Sequence, residues 1–353
     1  MVCLDNNLFK YATSELSQDA FICWLVSHIL VDEGGVYVTN DAVLQSCAKR
    51  MLAMFVPEFN GKDYSLIRIE KQKLSVDVLL TVECDGDLYK VIVEDKTYTN
   101  QHDNQLLRYK EVVQKAFPNS NVRGVYYKTW FQSDFKKVVE ANYRIIMRED
   151  ILALMADYID KTDNQIFLDY FAYWNHIHLE TEKYKEKPTN EWDYKQVFGF
   201  YEHFKKDIIS KLDMYAGYGY VANPSGGFDG CWFGMCDNAI VVDGYELGLY
   251  MQINATYEDT CSLFVCLKID SSDVPSELRS KIRNKIIYGY NRNLYEDGKY
   301  GIKKPDRLGS GVYMTIGVYD GCVGGFTTYV ELEKFLCESI EKYKILLMEL
   351  KDS

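Results

Sequence analysis

Two carboxylates and a lysine come together at the ends of two short apolar runs in this sequence. Asp77 interrupts the β-branched and aliphatic run at 76–80, and Glu94 and Lys96 end the apolar run at 89–96. Side chains alternate faces along a strand, so Glu94 and Lys96 share one face. If the two runs pair as a hairpin, Asp77 comes beside both. Charged groups are costly to bury unless they are paired or bind a metal ion, so this arrangement indicates a site.

The chemistry that suits these groups is metal-assisted hydrolysis of a phosphodiester. Carboxylate oxygens such as those of Asp77 and Glu94 are preferred ligands of Mg2+ or Mn2+. An ion bound in this way keeps several waters, and a bound water loses its proton more easily. Lys96 can orient that water or stabilise the negative charge that develops on the phosphoryl oxygens. The side chain of Asp95 points away, and its main-chain carbonyl is the natural further ligand of the ion.

These residues resemble the motifs of the PD-(D/E)xK nuclease superfamily. Asp77, sixteen intervening residues and then Glu94-Asp95-Lys96 match the acid and the acid-x-lysine of that family. Val76 stands at the position of the proline that names the family, which many members lack. The resemblance implies an α/β restriction-endonuclease-like core, a mixed sheet flanked by helices, that hydrolyses DNA with Mg2+ or Mn2+.

Two further features extend the resemblance over residues 10–175. Gln105 and Tyr109 form the Q-x3-Y motif of the RecB-like branch. Positions i and i+4 share a helix face, so both side chains can point at the site or at bound DNA. Glu15, on a helix before the core, resembles the upstream glutamate of several branches, which implies a role with a second metal ion or in orienting a group that contacts the ion. The alternatives are that Gln105 and Tyr109 only pack their helix, and that Glu15 only complements the helix dipole.

The elements that must position these residues follow from the periodicity of the chain. Amphipathic patterns predict helices at 13–31 and 41–56, and alternation predicts one or two strands at 65–80. After the hairpin, the predicted elements are a helix at 103–116, a strand at 121–128, a strand running into a helix at 144–159, and a helix at 163–179. Strand, strand, helix, strand and helix in this order predict an α/β core built on a mixed sheet.

A second domain of a different kind is predicted after the first. Residues 1–180 form the nuclease-like domain, and the charged stretch 180–191 has the composition of a linker. Residues 192–353 combine helices with short strands broken by glycines, which predicts an α+β accessory domain of antiparallel type. It carries no spaced set of acids, histidines or serines of a catalytic kind. Recognition of a target, homo-oligomerisation or binding of a partner protein is therefore its expected role.

Composition limits how this chain can bind nucleic acid. The net charge is −12, so a surface for a polyanion must be a local patch on an acidic body. Candidate cations lie near the carboxylates and on a basic helix of the second domain, and they are Lys71, Lys73, Arg108, Arg279, Lys281, Arg283, Lys285 and Arg292. The alternative for each of them is an ordinary solvated side chain.

The cysteines and the termini indicate a reducing compartment. The first residues have no signal-peptide pattern and no apolar run is long enough to span a membrane, so the cytoplasm is expected. Two Cys-x4-Cys pairs, Cys231/Cys236 and Cys261/Cys266, have spacings that zinc sites use. The second pair lies in a strand-like run, where positions i and i+5 face opposite ways. Buried free thiols are therefore favoured over zinc, and no iron–sulfur cluster is expected.

Two functions from different classes follow. The first is a Mg2+-dependent deoxyribonuclease, which the resemblance places in bacterial defence or DNA processing. The second is a catalytically silent nuclease-fold module that binds nucleic acid or a partner protein. The intact set of Asp77, Glu94 and Lys96 favours the first, and the acidic net charge favours the second.

Overall fold

The chain forms two compact units, Met1–Leu179 and Glu180–Ser353. The computed structural model describes residues 5–223, 226–270, 274–293, 301–305, 312–319 and 325–352. Within these ranges no helix is both long enough and apolar enough to cross a membrane.

The first unit is a mixed α/β structure. Its helices and strands are α1 Glu15–Ser27, α2 Ala42–Phe55, β1 Tyr64–Lys71, β2 Val78–Cys84, β3 Asp87–Lys96, α3 Gln105–Ala116, β4 Asn121–Lys128, α4 Lys136–Glu140, β5 Tyr143–Met147, α5 Arg148–Ala156 and α6 Gln165–Glu182. The predicted strands and helices are present, and their ends shift by a few residues where caps such as Asp41 start a helix.

The five strands of this unit form one sheet in sequence order. β1, β2 and β3 pair antiparallel, whereas β3, β4 and β5 pair parallel. The predicted mixed sheet flanked by helices is therefore confirmed. Val91 and Val93 belong to a core with residues of α1, α2, α5 and α6, whereas Ile92 belongs to a core with residues of α3 and α4. Because β3 is the central strand and both its faces are covered, charged side chains at its end are forced into the interior.

The charged stretch 180–191, whose composition predicts a linker, is folded and begins at the division between the two units. α6 continues to Glu182, and two 3-10 turns follow. Tyr184 and Thr189 are buried despite the surrounding charges. Composition averages over the stretch and hides the single aromatic residue that anchors it.

The second unit is an antiparallel sheet with helices. Its elements are α7 Tyr194–His203, β6 Met214–Val221, β7 Phe228–Met235, β8 Ala239–Val242, β9 Tyr245–Tyr257, β10 Cys261–Asp270, α8 Ser276–Asn293, β11 Ile302–Lys303, β12 Tyr313–Tyr319 and α9 Tyr329–Lys351. The strand order is β11-β12-β10-β9-β7-β6, with β8 paired to β9. Leu249 and Met251 face a buried side of this sheet, where the Tyr343 hydroxyl of α9 donates to the Leu249 carbonyl at 2.7 Å.

The cysteines among the described residues of the second unit are free thiols. Cys231, Cys261 and Cys266 are buried, as predicted, whereas Cys236 is exposed. Cys236 follows the last residue of β7, so it leaves the sheet and its packed core.

Candidate active site

The register of the hairpin brings the predicted site residues together. Val78 of β2 pairs with Val93 of β3, so the next position outward places Asp77 beside Glu94. The Lys96 ammonium lies 2.7 Å from Glu94 Oε1 and 3.7 Å from Asp77 Oδ2. The amide of Asp95 donates to Asp77 Oδ2 at 3.1 Å and fixes that carboxylate against the strand.

Asp95 turns its side chain to the opposite face of β3, as strand alternation requires. There its carboxylate accepts a hydrogen bond from Gln18 of α1, and its Oδ2 is buried with no partner. Burial raises the pKa of Asp95 well above its usual range. The Asp95 carbonyl points towards the site and accepts a hydrogen bond from Lys96 Nζ at 3.0 Å. Of the two oxygen-bearing groups of Asp95, the carbonyl is therefore the one that faces the site.

The turn that delivers Asp77 is strained. Gln72, Leu74 and Ser75 have φ angles of 52°, 56° and 66°, in the left-handed region that non-glycine residues avoid. The Gln72 amide donates to the Asp77 carbonyl at 2.9 Å and closes the turn. Residues held this way cost about 1–3 kcal/mol each and persist where the surrounding structure demands them. Here the turn fixes the start of β2, and so the position of Asp77.

Glu15 reaches the same site from the first turn of α1. Its Oε1 accepts hydrogen bonds from the Thr97 amide at 3.1 Å and the Thr99 hydroxyl at 2.6 Å. Its Oε2 lies 3.9 Å from Lys96 Nζ. The carboxylate thus connects the start of α1 to the segment that follows β3, in addition to its favourable place at a helix N-terminus.

Gln105 and Tyr109 support Glu94 from α3. Gln105 Nε2 donates to Glu94 Oε1 at 2.9 Å and to the Tyr109 hydroxyl at 2.8 Å. Tyr109 is also buried in the core between α3 and the sheet. The two alternatives raised by the sequence are therefore both present, since the pair packs the helix and contacts the site.

The surroundings of Glu94 raise its pKa, so that its carboxyl group is partly protonated near pH 7. Its side chain is fully buried, and burial together with the nearby Asp77 raises its pKa to about 7, against the opposing effect of Lys96. Burial alone lowers the pKa of Lys96, but the adjacent Glu94 and Asp77 carboxylates outweigh it and raise that pKa above its usual value. Glu94 Oε2 is buried and has no hydrogen-bond partner. One oxygen of a buried carboxylate is thus open to a further ligand.

Asp19 lies near this site and was not predicted. It stands four residues after Glu15 on α1, so the two share a helix face. Burial, and then Asp77, raise the pKa of Asp19 to about 6, and its Oδ1 has no partner. The i, i+4 spacing was the signal in the sequence that could have identified it.

Lys128 is a second cation that the sequence reading missed. It ends β4, and its register partner on the parallel strand is Lys96. Lys128 Nζ donates to the carbonyls of Thr97 at 2.8 Å and Thr99 at 2.6 Å, and burial lowers its pKa to about 7. Ends of parallel strands meet at one edge of a sheet, which was the available signal. Lys128 braces the backbone that holds Glu15.

The cations proposed near the site differ in position. Lys71 Nζ lies 3.4 Å from the Leu16 carbonyl of α1, and its charge opposes the raised pKa of Asp19. Lys73 is exposed and lies 3.8 Å from Glu70. The Arg108 guanidinium lies 5.6 Å from the centre of the Tyr109 ring, on the same helix. Of these three cations, Lys71 is the one whose charge acts on an acidic side chain near the site, that of Asp19.

The basic helix α8 has the character of a solvated face. Lys281 and Lys285 are exposed and lie 3.1 Å and 3.9 Å from Asp243. Arg279 donates to the Val274 carbonyl, and Arg283 to Asn284. The side chain of Arg292 lies outside the described residues.

The oxygen donors of the site fit a hard divalent ion. Asp77 offers a partly exposed carboxylate, Glu94 an unpartnered oxygen and Asp95 a carbonyl. Across the described ranges no group of three or more His, Cys, Asp and Glu side chains is positioned to hold a metal ion. The set here has two carboxylates and a carbonyl, which is enough for Mg2+, because that ion keeps several waters and uses few protein ligands. Lys96 now occupies the space between these oxygens.

Comparisons with family models, with curated proteins and with solved structures find no match to this chain. A functional assignment therefore rests on the geometry of the site and on the chemistry of its groups.

Proposed function

We propose that the first unit is a metal-dependent nuclease of the PD-(D/E)xK type, with a restriction-endonuclease-like core, that hydrolyses phosphodiester bonds of DNA. The observation that carries the proposal is the meeting of Asp77, Glu94 and Lys96 at the ends of adjacent strands. The hydrogen bond from Gln105 to Glu94 adds the Q-x3-Y residues to the same site.

Each residue has a role that its position supports. Asp77, Glu94 and the Asp95 carbonyl hold Mg2+ or Mn2+, with Glu15 available for a second ion. The ion, when bound, supplies an acidified water and positive charge at the phosphate. Lys96 orients the attacking water or stabilises the charge that develops on the phosphoryl oxygens. Because Lys96 is held by three carboxylates, its ammonium is already desolvated and directed into the site.

DNA is proposed as the substrate, in bacterial defence or DNA processing, because the motifs resemble those of that nuclease family. An acidic chain needs local cations to hold a polyanion. Lys71, Lys73 and Arg108 are the candidates on this unit, and the charge of Lys71 acts on Asp19 beside the site. The free thiols suit a reducing cytoplasm.

The test is a cleavage assay on plasmid and linear DNA with Mg2+ or Mn2+, with and without a chelator. We expect cleavage that needs the ion and that falls at least about 100-fold in Lys96→Ala. Lys90→Met is the matched control, because Lys90 is also buried on the same face of β3 but donates to Thr81, far from the site. Absence of cleavage on every substrate, or equal cleavage by Lys96→Ala, would contradict the proposal.

A silent binding module is the second candidate. Lys96 Nζ lies 2.7 Å from Glu94 Oε1, where an ion would be expected, and the net charge of −12 opposes binding of a polyanion, so both observations favour a scaffold. Under this alternative the first unit binds nucleic acid or a partner protein without cleaving it. Metal binding separates the two, since the scaffold needs none.

A further inference from the structure

A cavity of about 540 Å3 opens on one face of the seven-stranded sheet in the second unit. Its wall includes Trp232 of β7, Tyr250 of β9, Lys268 of β10 and Tyr313 of β12. The cross-strand register places these residues on the same face, opposite the one that Leu249 and Met251 share. Its volume lies within the range of small-molecule sites, which is about 300–1,000 Å3.

Lys268 is a buried cation that has no partner among the described residues. Its exposed fraction is 8%, and no hydrogen bond or ion pair joins it to another described residue. Burial lowers the pKa of its ammonium. A buried unpaired charge is costly, and proteins keep one where a ligand of opposite charge completes it. Lys268 therefore points to an anionic group in the occupant.

Asp270 and Asn238 add polar side chains to the wall of the same cavity. Asp270 Oδ1 is buried with no partner. Asn238 is held in place because its Nδ2 donates to the Leu249 carbonyl at 3.0 Å and to Tyr215 at 3.3 Å. An unsatisfied buried acceptor beside an unpaired cation indicates an occupant with both a donor and an anionic group.

The aromatic side of the cavity depends on a glycine. Gly217 of β6 pairs with Trp232, and a Cβ at Gly217 would lie only 2.5 Å from the indole Nε1. The absence of a side chain lets the indole lie flat against β6. Trp232, Tyr250 and Tyr313 thus line the cavity with aromatic side chains, against which a planar ring can pack.

We propose that this cavity binds a nucleotide, with its base against the aromatic rings and its phosphate at Lys268. A cationic ligand would be repelled by Lys268, and a simple anion would leave the rings unused. A nucleobase offers a planar face to Trp232 and amino groups to Asp270, so it uses every group described. The nucleotide comes from solution or from a single strand. The inference does not rest on the nuclease proposal, since it concerns the second unit alone.

The test is calorimetric titration of the full chain, in chelator to prevent hydrolysis. The probes are nucleoside 5′-monophosphates, the matching nucleosides, inorganic phosphate and a six-nucleotide single strand. We expect binding at one site per chain by a monophosphate, by the strand or by both. Trp232→Leu should weaken that binding at least about tenfold, because it removes the stacking surface. If a monophosphate binds as tightly as the strand, the ligand of the cavity is a free nucleotide. If only the strand binds, the ligand is a single-stranded nucleic acid.

Lys268→Met separates the phosphate from the base. It should weaken binding of the monophosphate at least about tenfold and leave binding of the nucleoside unchanged, because only the phosphate faces Lys268. Lys281→Met, an exposed lysine of the same unit, is the control that should change neither. Gly217→Ala, which displaces the indole, is the second variant and should weaken nucleotide binding as much as Trp232→Leu does.

Three results would overturn the proposal. One is that no probe binds. Another is that binding survives both Trp232→Leu and Lys268→Met in folded protein. The third is that inorganic phosphate alone binds as tightly as any nucleotide.

Discussion

The two sites of this chain use a β-sheet in opposite ways. In the first unit, charged side chains gather at the ends of β2 and β3, and each is tied to neighbours within 4 Å. In the second unit, side chains from several strands line one face of a sheet, and the buried cation there has no partner among the described residues. Under the proposed functions, the first arrangement would hold a small ion beside a reacting phosphate, and the second would be a binding cavity whose lysine pairs with an anionic ligand.

The comparison also separates chemistry from recognition. Carboxylates with a lysine can activate water, whereas aromatic rings with one lysine can hold a ligand but have no group that attacks it. Variants that act on one site and leave the other unchanged test this division directly.

The largest expected effect is the separation of cleavage from nucleotide binding. Glu94→Gln should lower DNA cleavage at least about 100-fold, because it removes a metal ligand and the partner of Lys96. Its nucleotide binding by calorimetry should equal that of the wild type. Trp232→Leu should weaken nucleotide binding at least about tenfold and keep its cleavage rate at saturating DNA. If either variant is folded but loses both cleavage and nucleotide binding, the assignment of these two functions to separate sites is contradicted.

The metal affinity should depend on pH because of Glu94. Its pKa of about 7 lies above the usual value, so the group is mostly protonated below pH 7 and an ion must displace that proton. Mn2+ affinity should fall about tenfold for each pH unit below 7 and level off above it. Calorimetry between pH 5.5 and 8 measures this slope. Asp85→Asn, in the exposed turn of the hairpin, should keep it, and a flat profile would show that Glu94 is not a ligand.

Gln105 should act through the charge of Glu94. Gln105 donates to the Glu94 carboxylate, so Gln105→Leu should raise the pKa of that group further. We expect cleavage at pH 7 to fall by about tenfold and to recover at higher pH. Gln114→Leu, on the same helix but bonded to the Ser120 carbonyl, is the control. A uniform loss at every pH would indicate a packing role alone.

Asp19 should cost the protein stability at neutral pH. Its pKa rises from 3.8 to about 6 on folding, so the folded state binds more protons between these values and stability falls as pH rises through them. Asp19→Asn should therefore raise the free energy of unfolding by about 1 kcal/mol at pH 8. It should give no gain at pH 4, where the carboxyl is neutral in both states. Urea denaturation at the two pH values measures the difference, and an equal change at both would exclude this origin.

The sequence predicts the first site because all of its predicted residues except Glu15 are close in the chain. Asp77, Glu94, Lys96, Gln105 and Tyr109 all lie within one hairpin and the helix after it, so strand alternation and helical spacing suffice to bring them together. Asp19 and Lys128 come from other elements, and their burial depends on tertiary packing.

The second cavity could not be predicted in this way. Four residues of the cavity wall come from four different strands, so they form no local motif in the sequence. They are Trp232, Tyr250, Lys268 and Tyr313. Only the register of the sheet places them side by side.

Mn2+ binding tests the central claim most directly. Calorimetry at pH 8 should show binding to the wild type that is lost in Asp77→Ala, because Asp77 supplies one of the three carboxylates within 4 Å of Lys96. Asp85→Ala, which removes an exposed carboxylate of the same hairpin, should bind as the wild type does. Absence of Mn2+ binding to the wild type, or equal binding by Asp77→Ala, would contradict a metal-dependent site at the ends of β2 and β3.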